Sequence, residues 1–263
     1  MIAASEKKQH GETSPSTVPP STGATARRRV ASVSEAPEVD GQMGYREEQR
    51  AQREKTSRAL MEAALELAAE EGYASLSLRS VARKAGIAPT SFYRHFREMD
   101  ELGLSLVEEA GDVLAACRER IQAKASLGGG ADPAWPDNVF SAVGELSRPF
   151  ATAFLECFAD NNNLLRFFFQ ERAGSSDAVR RAIQEQADAF ASDIADDLVE
   201  LGTAAGIGWR NPAVLSEAVV DLAATEGLVM AASREDDPDA ASARLADKLD
   251  MLLAGAVLDA HRS

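Results

Sequence analysis

The chain of 263 residues lacks several features that common protein classes require. It has only two cysteines, Cys117 and Cys157, which excludes the disulfide framework of a small secreted protein. No apolar run approaches the roughly 20 residues that span a bilayer. The first residues are polar and lack the apolar core that a secretory signal needs. We therefore expect a cytoplasmic protein without a membrane partner, in which both thiols stay reduced.

Residues that carry catalysis are equally scarce. The three histidines, His10, His95 and His261, are far apart in the sequence. No Gly-x-Ser-x-Gly elbow, phosphate-binding glycine loop or metal-ligand spacing occurs. The sequence therefore predicts a protein that is not an enzyme and that uses neither a cofactor nor a metal.

Positive charge is in short supply, and its distribution is uneven. The chain carries 28 Lys and Arg against 42 Asp and Glu, a net charge of −14. Residues 1–120 hold 17 cations against 19 acids, whereas the remainder holds 11 against 23. Most of the repulsion toward a polyphosphate therefore lies in the C-terminal part, which leaves the N-terminal part free to bind nucleic acid.

One acid-free stretch, Gly72–Phe96, contains two short helical patterns. Apolar residues from Leu78 to Ala85 recur at the spacing of one helix face, and Ser77 precedes them as an N-cap. A turn at Gly86 leads into a second helix that starts at Pro89. Two short helices about a glycine turn predict a helix-turn-helix, and a hairpin with a solvated basic face is the alternative.

The same stretch offers groups suited to DNA. Between Glu71 and Glu98 there is no acid but five cations. Short polar, aromatic and cationic side chains contact phosphates and base edges in the major groove. The predicted DNA-binding residues are Arg50 and Arg53 in the preceding helix, then Ser77, Arg79, Pro89, Thr90, Ser91, Tyr93, Arg94 and His95.

These residues carry a resemblance to a known family. The segments Glu71–Tyr73, Ser77–Ala82, Ala85–Ile87 and Phe92–Phe96 resemble the DNA-binding domain of TetR-family transcription regulators. The amino-acid sequences of residues 85–104 and 161–176 are similar to those of the FabR/DesT branch, whose members repress unsaturated fatty acid synthesis. The resemblance implies a homodimeric, nucleoid-associated repressor that binds a palindromic operator in double-stranded DNA and senses long-chain fatty acyl thioesters. Met99 stands where most of the family has a phosphate-contacting Lys, so that contact is not carried over.

The rest of the chain predicts an all-α protein with three regions. Residues 1–44 are rich in Ser, Thr, Pro and Gly, which predicts a disordered extension. Residues 45–99 would form the DNA-binding domain, beginning with a helix at Tyr45. Residues 100–263 read as further helices of a ligand-binding and dimerisation domain, since no alternating β pattern occurs.

Phenylalanines concentrate in this C-terminal region. An ordinary helical core would explain any one of them, but the resemblance implies a cavity for an acyl chain. The candidate ligand-binding residues are Phe140, Phe150, Phe154, Phe158, Phe167, Phe168 and Phe190. Arg166 and Arg172 are candidates for the carrier phosphates, although Arg172 would equally serve in an ion pair. A TetR-type regulator of efflux or catabolic genes that senses another hydrophobic molecule stays open as the alternative.

The last two helical segments carry apolar residues at helical spacing, and in the family this pair forms a four-helix dimer interface. The residues concerned are Val214, Leu215, Val219, Leu222, Leu228, Leu245, Leu249, Leu252, Leu253 and Val257.

Overall fold

The structure is a computed structural model that describes residues 39–127, 139–205, 208–233 and 237–260. Within these ranges every regular element is helical and no strand occurs, which confirms the all-α prediction. None of these helices is both long enough and apolar enough to cross a membrane. They are α1 (Val39–Glu71), α2 (Leu78–Lys84), α3 (Pro89–Phe92), α4 (Met99–Leu127), α5 (Val139–Asp160), α6 (Asn162–Gln170), α7 (Asp177–Ala205), α8 (Pro212–Ala232) and α9 (Pro238–Ala260).

Helix α1 begins earlier than the sequence predicted. The predicted start was Tyr45, whereas the helix starts at Val39, so its first six residues fall in the segment that was predicted to be disordered. Gly41 and Gly44 lower the helix propensity there, but unlike proline they keep the amide that the helix needs. A helix that is already nucleated downstream therefore propagates through them at low cost. The residues before Val39, including Arg27–Arg29, lie outside the described part of the chain.

The turns of the hairpin, residues 77–96, follow from a few local residues. Ser77 caps α2: its hydroxyl accepts from the Ser80 amide (3.2 Å), and the Ser80 hydroxyl accepts from the Ser77 amide (2.9 Å). Gly86 has a φ of 69°, a left-handed conformation that ends α2 and turns the chain. Pro89 occupies the first turn of α3, where a missing amide costs nothing. The predicted capping and turn residues are therefore confirmed.

The head, α1 to α3, packs around a small apolar core. Leu60 of α1, Val81 of α2 and Phe92 of α3 are fully buried. Phe96 lies beside Phe92, with 5.7 Å between the ring centroids, and both rings are buried in this core. This core holds α2 and α3 in a fixed relative orientation, which a DNA-reading hairpin needs.

The body, α4 to α9, is a helical bundle. Helix α5 packs against α4 and α9, and α7 packs against α4 and α8. Phe154, Phe158, Phe168 and Phe169 form an aromatic cluster in its centre, with neighbouring ring centroids 5.2–6.4 Å apart. Such rings bury a large apolar area and fix the packing of α5 and α6.

Helices α8 and α9 do not present to solvent most of the apolar residues named for the dimer interface. Six of them are buried within the protomer, because they are the side chains that pack α8 and α9 onto the bundle. They are Leu215, Val219, Leu245, Leu249, Leu253 and Val257. Of the named residues Val214 is exposed, and the other large apolar side chains that these two helices expose are Val229, Met251 and Leu258.

A buried carboxylate joins α8 to α9. The Glu226 side chain is 2% exposed and accepts hydrogen bonds from Arg244 (2.7 Å) and Lys248 (2.5 Å). These two cations hold the pKa of Glu226 below its usual range even though burial acts in the opposite direction. The carboxylate is therefore ionised at neutral pH and ties the two helices together.

Candidate functional site

The hairpin displays one large exposed aromatic ring. The side chain of Tyr93, which follows α3 directly, is 62% exposed, and its ring lies edge-on to buried Phe92 at 6.3 Å. Thr90 and Pro89 are exposed beside it, and Ser91 is half-buried. An exposed tyrosine fixed at its base by a buried ring is suited to contact a nucleic acid backbone or base.

Exposed cations accompany this ring in the hairpin. Arg79 and Arg83 of α2 are four residues apart, and therefore on one face of the helix, and both are exposed. Arg94 and Arg97 are exposed as well. Within the described part of the chain none of these four guanidinium groups has an ion-pair partner, so all four are available to phosphates.

Lys84 differs from the other cations of the acid-free stretch. Its ammonium group lies 2.9 Å from the carboxylate of Glu66 in α1. This partner raises the pKa of Lys84, which stays charged but already has a counter-ion. Its position indicates a role in docking α2 onto α1.

The two arginines predicted in α1 have different surroundings. Arg53 donates to the backbone carbonyl of Arg94 (3.1 Å), which ties α1 to the turn after α3. Arg50 forms an exposed ion pair with Glu54 at 2.8 Å. A pair this exposed contributes little to stability, so Arg50 could exchange Glu54 for a phosphate readily.

His95 and Ser77 are built into the hairpin. Burial, together with nearby Arg53 and Arg94, lowers the pKa of His95, so the imidazole is neutral at physiological pH. Its Nδ1 atom is buried without a hydrogen-bond partner among the described residues. Ser77 is occupied as the cap of α2. Contact of these two residues with DNA stays a prediction.

Tyr73, to which the sequence analysis gave no structural role, joins the head to the body. Tyr73, in the turn after α1, stacks edge-on against Phe167 of α6, with 5.0 Å between centroids. Its hydroxyl donates to the Met99 carbonyl at the start of α4 (2.6 Å). Burial raises the pKa of this hydroxyl above the usual value of a tyrosine, so it stays protonated and keeps donating. A side chain on Gly103 would meet that hydroxyl at 2.7 Å, so Gly103 leaves room for it.

The body contains an apolar cavity of about 60 Å³ between α4, α5, α7, α8 and α9. Phe150, Leu198 and Leu249 contribute to its wall. The other lining residues are Ile121, Ala125, Leu146, Ser147, Ile194, Asp197, Leu201, Val219 and Leu253. This volume is smaller than the roughly 300 Å³ of an ordinary ligand pocket, so the cavity must widen to hold a long chain.

An open groove of about 390 Å³ adjoins the cavity. It is lined by Ile121, Gln122, Ala125, Asp197, Glu200 and Leu201, four of which also line the cavity. The groove lies toward the C-terminal ends of α4 and α7. Cavity and groove together offer an apolar interior with a polar mouth.

The structure separates the predicted ligand-binding phenylalanines. Phe150 lines the apolar cavity. Phe154, Phe158 and Phe168 belong to the central aromatic cluster, Phe167 contacts Tyr73, and Phe190 is buried in α7. This packing favours a core role for these five. The side chain of Phe140 lies outside the described residues.

The residues that do line the cavity were mostly missed, because leucine and isoleucine at helical spacing carry no sign of which face borders a cavity. The candidate carrier contacts also separate. Arg172 forms an ion pair with Asp221 of α8 at 2.7 Å, which favours its structural alternative. Arg166 borders a small recess beside Tyr73, away from the apolar cavity.

Comparison with known proteins places this hairpin in a family. Residues 60–106 match the model of "Bacterial regulatory proteins, tetR family". The matched segment runs from the core of α1 through both hairpin helices into α4, so it includes the exposed ring of Tyr93 and the cations of the hairpin.

Solved structures share the fold over most of the chain. The fatty acid degradation regulator FadR from Bacillus halodurans has 18% identity and a TM-score of 0.56, covering 76% of this chain and 95% of its own. A Pseudomonas aeruginosa PAO1 protein, provisionally described as a transcriptional regulator, has 18% identity and a TM-score of 0.60, covering 79% and 94%. A Clostridium perfringens protein, provisionally described as a fatty acid metabolism regulator, has 14% identity and a TM-score of 0.54, covering 76% and 98%.

At these identities the solved structures establish a shared fold, and the family match concerns the segment of residues 60–106 that contains the hairpin. A helix-turn-helix head with exposed cations, joined to a helical body that contains an apolar cavity, agrees with both. The chain therefore contains a segment, residues 60–106, that matches the bacterial regulatory proteins of the tetR family, and it shares its fold with solved structures over about three quarters of its length.

Proposed function

We propose that the protein is a homodimeric repressor that binds a palindromic operator. Its affinity for the operator would change when a hydrophobic effector enters the body. The observation that carries the proposal is the pairing of an acid-free, cation-rich hairpin with an apolar cavity in the same chain. The hairpin would enter the major groove through Thr90, Ser91 and Tyr93, with Arg79 and Arg94 on phosphates.

Dimerisation through α8 and α9 is supported by the apolar side chains that these helices expose. Met251 is 73% exposed, and Val214 and Leu258 are more than half exposed. A two-fold dimer presents two copies of the hairpin, so a palindromic operator follows from its symmetry.

We propose a long-chain fatty acyl thioester as the effector and unsaturated fatty acid or desaturase genes as the targets. The support is the similarity of residues 85–104 and 161–176 to the FabR/DesT branch, together with two structural neighbours whose descriptions name fatty acid regulation. An apolar cavity discriminates such chains by shape, since each buried methylene contributes about 0.8 kcal/mol whatever its position.

The route from cavity to hairpin would run through α4. This helix lines the cavity with Ile121 and Ala125, and its first residue accepts the hydrogen bond from Tyr73. A ligand that favours one position of α4 would shift the separation of the two hairpins, and with it DNA affinity.

A second candidate is a regulator of efflux or catabolic genes that senses a different hydrophobic compound. The charge of the groove favours it, because Asp197 and Glu200 line the groove and would oppose the phosphates of an acyl carrier. Both candidates share the DNA-binding head and differ in the effector and in the target genes.

Fluorescence anisotropy of the full chain on DNA upstream of unsaturated fatty acid or desaturase genes tests the proposal. Three titrations are compared: one without ligand, one with a saturated acyl-CoA and one with a cis-unsaturated acyl-CoA. A DNA affinity that responds differently to the two acyl-CoAs is the expected result. Specific DNA binding that ignores both would refute the acyl effector and leave the second candidate.

A further inference from the structure

The mouth of the apolar cavity is acidic. Among the six residues that line the groove, Asp197 and Glu200 are carboxylates and none is a cation. Glu200 is exposed and has no ion-pair partner among the described residues. A head group that reaches the groove therefore meets negative charge as soon as its tail enters the cavity.

The nearest cations are already engaged. Arg118 of α4 donates to Asp197 at 2.8 and 2.9 Å and lies 3.4 Å from Asp193, so one guanidinium serves two carboxylates. Lys124 is held by Glu156 at 2.7 Å, and Arg120 by Asp160 at 2.8 Å. None of them is free to neutralise Glu200 or to receive an anionic ligand without losing a partner.

The sequence of α7 reinforces this charge. Between Arg181 and Arg210 the chain has no Lys or Arg but six acids. Four of them, Asp193, Asp196, Asp197 and Glu200, fall within about two turns of α7 at the cavity end. Among the described residues Arg118 is the one cation that pairs with any of these four carboxylates, so this end of the helix keeps a negative field.

An apolar cavity with a negative mouth selects its ligand by charge. A polyanionic carrier head would be repelled in the groove, whereas a positive head would be attracted while its apolar part leaves water. We propose that this cavity binds a hydrophobic cation, with its apolar part between Phe150 and Leu198 and its positive head in the groove against Glu200 and Asp197. This inference rests on the second candidate of the proposed function, a regulator that senses a hydrophobic compound other than an acyl thioester, and it specifies that compound as a cation.

Matched amphiphiles with ten-carbon chains test it. Decyltrimethylammonium, decyl sulfate, decanoyl-CoA and uncharged decyl maltoside are titrated into the full chain by calorimetry, below their micelle-forming concentrations. We expect the cation to bind at least about tenfold more tightly than either anion, with the uncharged probe between them. Equal or tighter binding of decyl sulfate or decanoyl-CoA would overturn the inference.

Two variants separate the site from general attraction to an acidic protein. Glu200→Gln removes one exposed charge without touching the core, and it should weaken cation binding by about threefold to tenfold. Glu185→Gln, on the same helix about 22 Å away, is the matched control and should change nothing. An equal loss of cation binding in the two variants would refute the site.

A third variant tests whether the ligand reaches the cavity through the groove. Ala125→Phe narrows the passage between them, because Ala125 lines both. It should abolish binding of the cation, with thermal unfolding as the check that the chain stays folded. Full binding in Ala125→Phe would place the ligand elsewhere.

The outcomes also distinguish this inference from the proposal beneath it. If decyl maltoside binds and all charged probes bind equally, the charge selectivity is wrong and effector sensing stands. If no probe binds, not even the uncharged one, both the cation site and the effector cavity are wrong. DNA binding is measured separately and is not affected by either result.

Discussion

Gly227 of α8 is packed so tightly that adding one methyl group should destabilise the body. A Cβ atom at this position would lie 2.3 Å from Cδ2 and 2.5 Å from Cε2 of the Phe158 ring. That ring cannot easily move, because it is fully buried and stacked on Phe169 with 6.1 Å between centroids. Gly227→Ala must therefore displace either the aromatic cluster or α8.

The magnitude follows from two opposing terms. Replacing glycine by alanine within a helix contributes about 1 kcal/mol of stability. Overpacking a rigid core costs about 1–3 kcal/mol. The matched control is Gly144→Ala in α5, where the nearest atoms to a new Cβ are those of Asp250 and Arg148 at 3.9 and 4.0 Å. This control should gain the helical term without the steric cost.

The assay is thermal unfolding followed by circular dichroism at one fixed protein concentration, since the proposed dimerisation would make the midpoint concentration-dependent. We expect the free energy of unfolding of Gly227→Ala to be about 1–3 kcal/mol lower than that of Gly144→Ala. Each kcal/mol should lower the midpoint of thermal unfolding by about 2–4 °C. Equal stability of the two variants would refute the tight contact between α8 and Phe158.

Three further perturbations have defined outcomes. Glu226→Gln should lower the free energy of unfolding by about 1–3 kcal/mol, because it weakens the hydrogen bonds from Arg244 and Lys248 to this buried side chain. The loss stays moderate because both cations are only half-buried. Because the pKa of Glu226 is depressed, its carboxylate stabilises the wild type above the usual carboxyl range, and this stabilisation is lost as pH falls through the folded pKa. In urea titrations the free energy of unfolding of the variant should therefore lack this decline at acid pH. An equal decline in the variant and the wild type would contradict the pairing. Ser77→Ala should cost about 1 kcal/mol in the same titrations by removing the cap of α2, and an unchanged midpoint would count against it. Tyr93→Ala should abolish tight operator binding while far-ultraviolet circular dichroism stays native, and retained affinity would exclude the ring from the interface.

The hairpin was predictable because its determinants are local. Ser77, Gly86 and Pro89 each act within one turn of the chain, so their sequence positions already state where helices start and stop. The start of α8 has equally local determinants: the Asn211 side chain caps the helix, and Pro212 occupies its first position. The start of α1 was misplaced, because a composition rich in small and polar residues was read as disorder.

The cavity and the head–body contact were not predictable from single-sequence patterns. The Phe150 and Phe154 rings stack at 6.0 Å, yet only Phe150 of the two borders the cavity, because the boundary depends on how five helices meet. Likewise, the contact of Tyr73 with Phe167 joins residues that are distant in sequence. Periodicity tells which side of a helix is apolar, but it does not tell whether that side meets a neighbour or an empty space.

The most direct test of the account is selection of bound duplexes from random DNA by the full chain, followed by a salt titration on the enriched sequence. We expect a palindromic site, a steep fall of affinity with salt from several phosphate contacts, and a large loss of affinity in Arg79→Ala. The matched control Glu217→Gln, an exposed charge on α8, should bind as the wild type does. Failure to enrich any sequence, or an Arg79→Ala variant that binds unchanged, would contradict the assignment of the hairpin as the DNA-reading element.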